Sequence, residues 1–224
     1  MPPLSISTWN ISQSEANPQK DIWQKSSASP PDFSCINAIE AISDTILSWK
    51  SDIIILQELP SPDSWCHLGR LESLYVGGSF CALTHCGFTS VLLSRDLLKK
   101  VKVYEVDIVG PTVIVSICDR NPEASNKISI IGAHLSPFKN GSSHRLHEIT
   151  EAIRVAKCHG SSSIVFGGDL NMRNDEMKNI QKIGLRDAFL ALGSPKDASV
   201  TWDSSRNKYH KDGFPFRCRF DRFL

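Results

Sequence analysis

The sequence predicts a mixed α/β fold in which antiparallel sheets are covered by helices. Three observations carry that prediction. Short β-branched runs alternate with stretches of helical periodicity. Consecutive strand-like runs from Thr89 to Ala133 sit at hairpin spacing with no helical pattern between them, which argues against a doubly wound parallel sheet. A chain of 224 residues, 41% hydrophobic and 22% charged, has ordinary globular composition and suits a single domain over residues 1–224.

Strands are expected at Leu4–Trp9, Asp52–Leu56, Thr89–Leu93, Val101–Val109, Thr112–Ile117, Ile128–Ala133, Ile164–Phe166 and Arg217–Leu224. Most are short and bounded by Gly, Pro, Asn or Ser. The unbroken run Ile53-Ile54-Ile55-Leu56 predicts a strand buried on both faces. Apolar Val101 and Val103 flanking Lys102 predict a half-exposed one. Three helices are expected. Ile36, Ile39, Ile42, Ile46 and Trp49 repeat at three-to-four spacing, with Ser34 as N-cap. Leu146, Ile149, Ile153 and Ala156 do the same, with Ser142 or Ser143 in front and Gly160 behind. Met177, Ile180 and Ile183 mark a shorter helix ending at Gly184. Ser12 to Asp32, rich in Ser, Gln and Pro, reads as a long mobile loop.

Charge and cysteine usage bound the function. The net charge is +1, so neither a strongly basic nucleic-acid binder nor an acidic tail protein describes the whole chain. Seven basic and four acidic residues from Lys196 onward make a local +3, where a phosphate-bearing partner could be gripped. Within it, residues 203–216 form a basic loop interleaving Arg206, Lys208, Tyr209 and Lys211 with Phe214 and Phe216. That pattern fits either a grip on a nucleic-acid strand or a solvated loop with two core anchors. The seven cysteines are scattered without a C-x-x-C pair, so they are expected as thiols packed like small hydrophobes, not as a zinc site. Met1 is followed by two prolines and polar residues, and no run approaches the ~18 apolar residues of a membrane span. The expectation is a soluble protein of a reducing compartment with no membrane partner.

Chemistry-bearing residues gather at strand ends. Trp9-Asn10 ends the first strand, Gln57-Glu58 the second, and Gly168-Asp169-Leu170-Asn171 follows Ile164–Phe166. One carboxylate after a buried run is commonly a surface residue or a helix cap. Three such ends converging on one sheet edge offer the hard oxygen ligands that magnesium takes, one or two carboxylates with water and phosphate completing the shell. Asp169 and Asn171, two apart, would face the same way in an extended segment. His144, His147 and Glu148 mimic a metal cluster, but an exposed helix face with an Arg145–Glu148 surface pair is the expectation there.

Thr8-Trp9-Asn10, Leu56-Gln57-Glu58, Gly132-Ala133-His134-Leu135, Gly168-Asp169-Leu170-Asn171 and Arg219-Phe220-Asp221-Arg222 stand in the order seen in the endonuclease/exonuclease/phosphatase superfamily. The chain resembles that superfamily over nearly its whole length. Thr201-Trp202-Asp203, the Arg219–Arg222 motif and Arg173 make it most similar to the 5′-tyrosyl-DNA phosphodiesterase branch. The resemblance implies a four-layered α/β sandwich of two mostly antiparallel sheets flanked by helices. It implies magnesium, with manganese as a substitute, held by Glu58 with Asn10 beside it. Asp169 would orient and deprotonate the attacking water, and Asn171 would hold that water and the phosphate. Arg173 would clamp phosphate, Trp202 would line a single-stranded DNA path, and His134 would support the site, unless it merely caps a buried strand. The implied reaction is hydrolysis of the tyrosine–5′-phosphate bond left on DNA ends by stalled topoisomerase 2, in a monomer of the nucleus, with the cytoplasm as a second location.

One departure shapes the expectation. Family members carry a Ser-Asp-His motif on a final strand, and Asp221 resembles a carboxylate that orients the His of that motif. No histidine of this sequence follows the Arg219–Arg222 motif; His210 precedes it and matches nothing. The alternatives are therefore a catalytically impaired short form that at most binds DNA ends, an apurinic-site endonuclease, or a lipid phosphodiesterase. The short form would leave Phe220 and Phe223 underpacked and a sheet edge uncovered.

Overall fold

Alternation along Ile53-Ile54-Ile55-Leu56 divides the interior into layers. Ile53 and Ile55 point into one core and Ile54 and Leu56 into another, and all four are fully buried. The computed structural model describes residues 3–11, 33–68, 70–77, 80–121, 126–205 and 216–224. The expected loop at 12–32 and most of the expected basic loop, with His210, lie outside the described residues. The elements run β1 (Ile6–Asn10), α1 (Phe33–Ser48), β2 (Ile53–Leu59), β3 (Tyr75–Val76), β4 (Cys81–Thr84), β5 (Gly87–Ser94), β6 (Val101–Val109), β7 (Thr112–Asp119) and β8 (Lys127–His134). They continue with α2 (Ser142–Cys158), β9 (Ser163–Asp169), α3 (Met177–Lys182), β10 (Trp202–Asp203), β11 (Arg217–Cys218) and β12 (Asp221–Phe223).

The first sheet has the order β1-β2-β5-β3, with β4 also paired to β5; the second runs β12-β9-β8-β7-β6. Their facing surfaces form the central core, where Ile53, Ile55, Val91 and Leu93 meet Val113, Val115, Ile117 and Ile130. On the outer side of the first sheet, Ile42 and Ile46 of α1 pack on Ile54, Leu56 and Leu92. On the outer side of the second, Ile149, Ala152, Ile153 and Ala156 of α2 pack on Ile114, Ile131 and Phe166. The result is the expected α/β sandwich of helix, sheet, sheet and helix. The sheets approach so closely at Gly132 that a β-carbon there would lie 2.7 Å from Val91 Cγ2 and 3.0 Å from Ile55 Cγ2.

Most ladders are antiparallel, but each sheet holds one parallel pair, β1 with β2 and β8 with β9. A parallel pair needs a crossover, and α1 and α2 supply the two. The C-terminal ends of β1, β2, β8 and β9 therefore gather at one rim of the sandwich.

Several expectations are corrected. The segment expected as one strand at Arg217–Leu224 is two: β11 pairs with β10, and β12 pairs with β9. The helix α2 starts without a side-chain cap from Ser142 or Ser143, its N-cap being Gly141; Gly160 behind it has the expected left-handed φ of 72°. Of the described thiols, Cys66 packs against the core under α1 as expected, while Cys158 is exposed and Cys81, Cys86, Cys118 and Cys218 are half-buried. Phe223 packs against Gly167 so tightly that a β-carbon there would meet its ring at 2.5 Å. Phe220 lies between Phe216, whose ring centroid is 6.4 Å away, and the Arg173 guanidinium 5.5 Å above its ring. Both rings are half-buried, and β12 forms an edge of the second sheet. Among the described residues, no helix is long and apolar enough to cross a membrane.

Arg145 overturns the surface pair expected with Glu148. Its side chain is fully buried and forks onto Glu176, Nε to Oε2 at 3.0 Å and Nη2 to Oε1 at 2.7 Å. Its third nitrogen donates to the carbonyls of Ser136 and Phe138 at 2.7 and 2.8 Å. Glu148 is buried too, and accepts from the Ser136 amide and hydroxyl. His144 lies 3.3 Å from that carboxylate but stands in solvent, so this stretch anchors the loop after β8 and is no metal cluster. Burial opposes ionisation of Glu176, yet the hydrogen bonds and charge of Arg145 outweigh it and hold the carboxyl below its ordinary value. Arg145→Leu leaves that buried anion without its counter-charge, with the Arg173 amide still bonded to it, and is expected to cost about 3–5 kcal/mol. Urea denaturation measures it, and adding Glu176→Gln to the same chain should recover part of the loss.

Candidate active site

The rim where the parallel strands end opens into a cleft of about 980 Å³. Asn10 and Glu58 enter it from the first sheet, and His134, Asp169 and Asp221 from the second. A bulge delivers Glu58. Leu56 and Leu59 are three apart and would face opposite ways in a regular strand, yet both are buried in the core under α1. The register of β2 against β5 shifts between them, and Glu58 adopts a left-handed φ of 61°. The extra residue is thereby turned out of the ladder and into the cleft. Gln57 beside it is fully buried, and its amide nitrogen donates to Thr8 Oγ1 at 2.9 Å.

Asp169 ends β9, paired with His134 on one side and Asp221 on the other. The preceding Gly168 has φ 134°, and a β-carbon there would run into the Ala133 carbonyl oxygen, so only glycine lets β9 lie this close to β8. The chain then turns, because Asn171 takes a left-handed φ of 51°. The extended segment expected to align Asp169 with Asn171 is not there. Both still line the cleft, because the Asn171 amide donates to Asp169 Oδ1 at 3.0 Å and its side-chain Nδ2 to the Leu135 carbonyl at 3.0 Å.

One side chain joins the two sheets at this point. Asn10 Nδ2 donates to Glu58 Oε1 at 2.9 Å and to Asp169 Oδ2 at 3.0 Å. His134, buried, turns its Nε2 to the same two oxygens at 3.9 and 3.8 Å. Its other nitrogen faces Cys86 Sγ, and the ring of His85 packs against it at 4.5 Å between centroids. Burial lowers the pKa of His85, with His134 adding to the effect and the Glu58 and Asp169 charges opposing it.

Asp221 is the perturbed acid of the group. Burial and then the nearby charge of Asp169 push its pKa up to about 7, against the hydrogen bond from Thr201. Its Oδ1 is buried without a hydrogen-bond partner. A buried carboxylate oxygen beside a second carboxylate is what a hard cation relieves. Together with the carboxylates of Glu58 and Asp169, the donor set fits magnesium or manganese and not a soft metal.

The Arg219-Phe220-Asp221-Arg222 motif divides its labour. Phe220 and Asp221 line the cleft, while both arginines turn behind it onto Asp187. Arg219 binds that carboxylate through two nitrogens at 3.0 and 2.6 Å, and Arg222 at 2.8 Å. Arg222 also donates to Asn174 Oδ1 at 2.8 Å, tying β12 to the loop that carries Asn171.

Trp202 lines the opposite wall with Phe216, their rings 6.5 Å apart. Arg173 is not part of the lining: its Nη1 donates to the Asn171 carbonyl at 2.7 Å and its guanidinium covers Phe220. Of the residues singled out in the sequence, Asn10, Glu58, His134, Asp169, Asn171, Trp202 and Asp221 come together, and Arg173 stands one layer back. His85, Asp197, Ser199 and Val200 also line the cleft without having been singled out. The hairpin turn that holds His85 and Cys86 carries no pattern beyond its Gly87.

The endonuclease/exonuclease/phosphatase family model matches residues 7–224, and the chain belongs to that family. Enzymes of the family are metal-dependent. Among curated proteins, the chain is 25% identical to tyrosyl-DNA phosphodiesterase 2 of Xenopus laevis over 191 residues, 82% of this chain and 50% of the relative. It is 26% identical to a 5′-tyrosyl-DNA phosphodiesterase of Caenorhabditis elegans over 196 residues, 84% and 52% of the two chains. The chain thus spans about half the length of the curated relatives it matches. Among solved structures, D. rerio TDP2 complexed with a single-strand DNA product superposes with a TM-score of 0.74 at 22% identity, covering 98% of this chain and 82% of that one. The human Nocturnin catalytic domain superposes with a TM-score of 0.59 at 14% identity, covering 86% and 74%. Identities this low show the shared fold.

Two stability effects follow with opposite signs. Burial opposes ionisation of Asp187, but the hydrogen bonds and charges of Arg219 and Arg222 outweigh it and depress its pKa. Its contribution is therefore present above ~3.9, the unfolded value, and lost as pH falls through the folded value. Asp221 is raised, so it costs nothing below ~3.9 and destabilises the metal-free fold as pH climbs toward 7. Asp221→Asn should raise the metal-free stability at pH 7 by on the order of 1 kcal/mol, about 2–4 °C in Tm. Thermal melts across pH should show the gap closing by pH 4.

Proposed function

We propose that the chain carries a magnesium-dependent phosphodiesterase activity that hydrolyses the bond between a tyrosine side chain and the 5′-phosphate of a DNA end. The supporting observation is the Asn10 amide holding Glu58 and Asp169 from two sheets at the floor of a cleft whose wall is aromatic. Glu58 would hold the magnesium, with Asn10 beside it and manganese as a substitute. When bound, the ion neutralises charge on the phosphoryl oxygens and stabilises the leaving oxygen.

The remaining work belongs to side chains. Asp169, fixed by Asn10 and by the Asn171 amide, keeps a carboxylate positioned to orient a water and take its proton. Asn171, held in its turn by Leu135 and Arg173, contacts the water and a phosphate oxygen. A tyrosine phenol has a pKa of ~10, far below a sugar hydroxyl, so the leaving group departs with little protonation. Trp202 and Phe216 offer flat faces on which bases of a single strand can stack, at ~1–3 kcal/mol per base. The relatives named for this activity and the neighbour solved with single-strand DNA product support the reading. Repair of topoisomerase 2 adducts by a nuclear monomer is the corresponding biological role.

The test is to incubate the chain with a 5′-phosphotyrosyl oligonucleotide, an abasic duplex and sphingomyelin, each with and without magnesium. Release of tyrosine from the first substrate alone is expected, with Glu58→Gln and Asp169→Asn each lowering kcat by ~10²–10⁴. Cleavage confined to the abasic duplex or to sphingomyelin, or no turnover of any substrate, would overturn the reading. Trp202→Ala should raise KM for the oligonucleotide about tenfold through lost stacking, with kcat held.

A further inference from the structure

Behind the carboxylates lies a second cluster of different chemistry. His85, Cys86 and His134 place a ring nitrogen, a thiol sulfur and a ring nitrogen all within 4.8 Å of one another. His85 and Cys86 occupy the turn between β4 and β5 in the first sheet, and His134 ends β8 in the second. The three ligands therefore span the sandwich, as Asn10 does, but with nitrogen and sulfur in place of oxygen.

The spacing suits a tetrahedral ion. With Zn–S of about 2.3 Å and Zn–N of about 2.0–2.1 Å, a sulfur and a nitrogen on one zinc lie roughly 3.6 Å apart. Cys86 Sγ and His134 Nδ1 are 3.6 Å apart. His134 is buried, Cys86 is half-buried, and His85 is exposed on the cleft side. With Nδ1 on the ion, the His134 Nε2–H faces the Glu58 and Asp169 carboxylates at 3.9 and 3.8 Å, outside hydrogen-bond range, so acceptors lie on that side of the ring without yet bonding it.

We propose that His85, Cys86 and His134 bind a zinc ion at three protein positions with the fourth open to the cleft, a nitrogen-and-sulfur site that adjoins the oxygen-ligand site of Glu58 and Asn10. Binding replaces the thiol proton of Cys86 by the metal and releases that proton to solvent, so affinity rises with pH. Because His134 links the two sites, zinc there orders its ring against the carboxylates. The set does not serve magnesium, which takes hard oxygen ligands.

The experiment is a cobalt(II) titration of the 224-residue chain, read by the near-ultraviolet thiolate-to-cobalt charge-transfer band and the visible bands of a tetrahedral ion. One equivalent is expected to develop both, with zinc displacing it and a thousandfold excess of magnesium leaving it in place. Cys86→Ser should abolish the charge-transfer band. His85→Ala, at an exposed turn position, should weaken binding at least tenfold with the melting profile unchanged. Glu58→Gln should retain the bands, which separates this site from the catalytic one. A charge-transfer band that survives Cys86→Ser, cobalt displaced by magnesium, or no band at all would overturn the proposal.

Discussion

A single amide sets the geometry on which the site depends. Both protons of the Asn10 side chain go to carboxylates, one on each sheet, and those contacts hold only if the two sheets meet at one separation and one offset. The large apolar interface between the sheets supplies most of the energy, but burial is non-directional and would tolerate sliding. Hydrogen bonds of 2.9 and 3.0 Å to charged acceptors are directional and lose strength with small displacement. Gly132 and Gly168 allow the close approach, since a β-carbon at either would force the strands apart just below the site.

Two buried guanidinium knots hold the loops that the sheets do not. Arg145 with Glu176 fixes the segment after β8, and Arg219 and Arg222 with Asp187 and Asn174 fix the segment after β9. Both loops leave the rim where the candidate active-site side chains sit. A buried ion pair contributes little net stability compared with an apolar substitute, so specificity of arrangement is the better account of why charge is used there. The perturbed Asp221 is the counterpart: a buried carboxyl set beside a second carboxylate, with no guanidinium among the described residues to answer it.

Much of this was legible in the sequence because it rests on periodicity. The runs at Ile53–Leu56, Val101–Val109 and Thr112–Ile117 and the repeats in α1 and α2 follow from which faces are buried, and burial leaves its period in the residues. Strand-end polar residues Asn10, Glu58 and Asp169 were legible for the same reason, standing where an apolar run stops. What was not legible depends on contacts distant in sequence. Arg145 reads as a helix-surface residue until Glu176 is brought to it, and Arg173 reads as a phosphate ligand until the Asn171 carbonyl takes its hydrogen bond. The left-handed turns at Glu58 and Asn171 leave no periodic mark, and the tight β4–β5 turn that carries His85 and Cys86 to His134 leaves only a glycine.

The bulge in β2 separates two histories within one strand. Leu56 and Leu59 face the same core only because a supernumerary residue lies between them. With that residue deleted, the two leucines would stand two apart, the ordinary spacing for a shared face, and the hydrophobic pattern would become more regular. The hydrophobic core has no use of its own for Glu58. Architecture and chemistry in this chain are thus separable by one codon, so a silent descendant could keep the whole sandwich while losing the residue for which its rim is shaped.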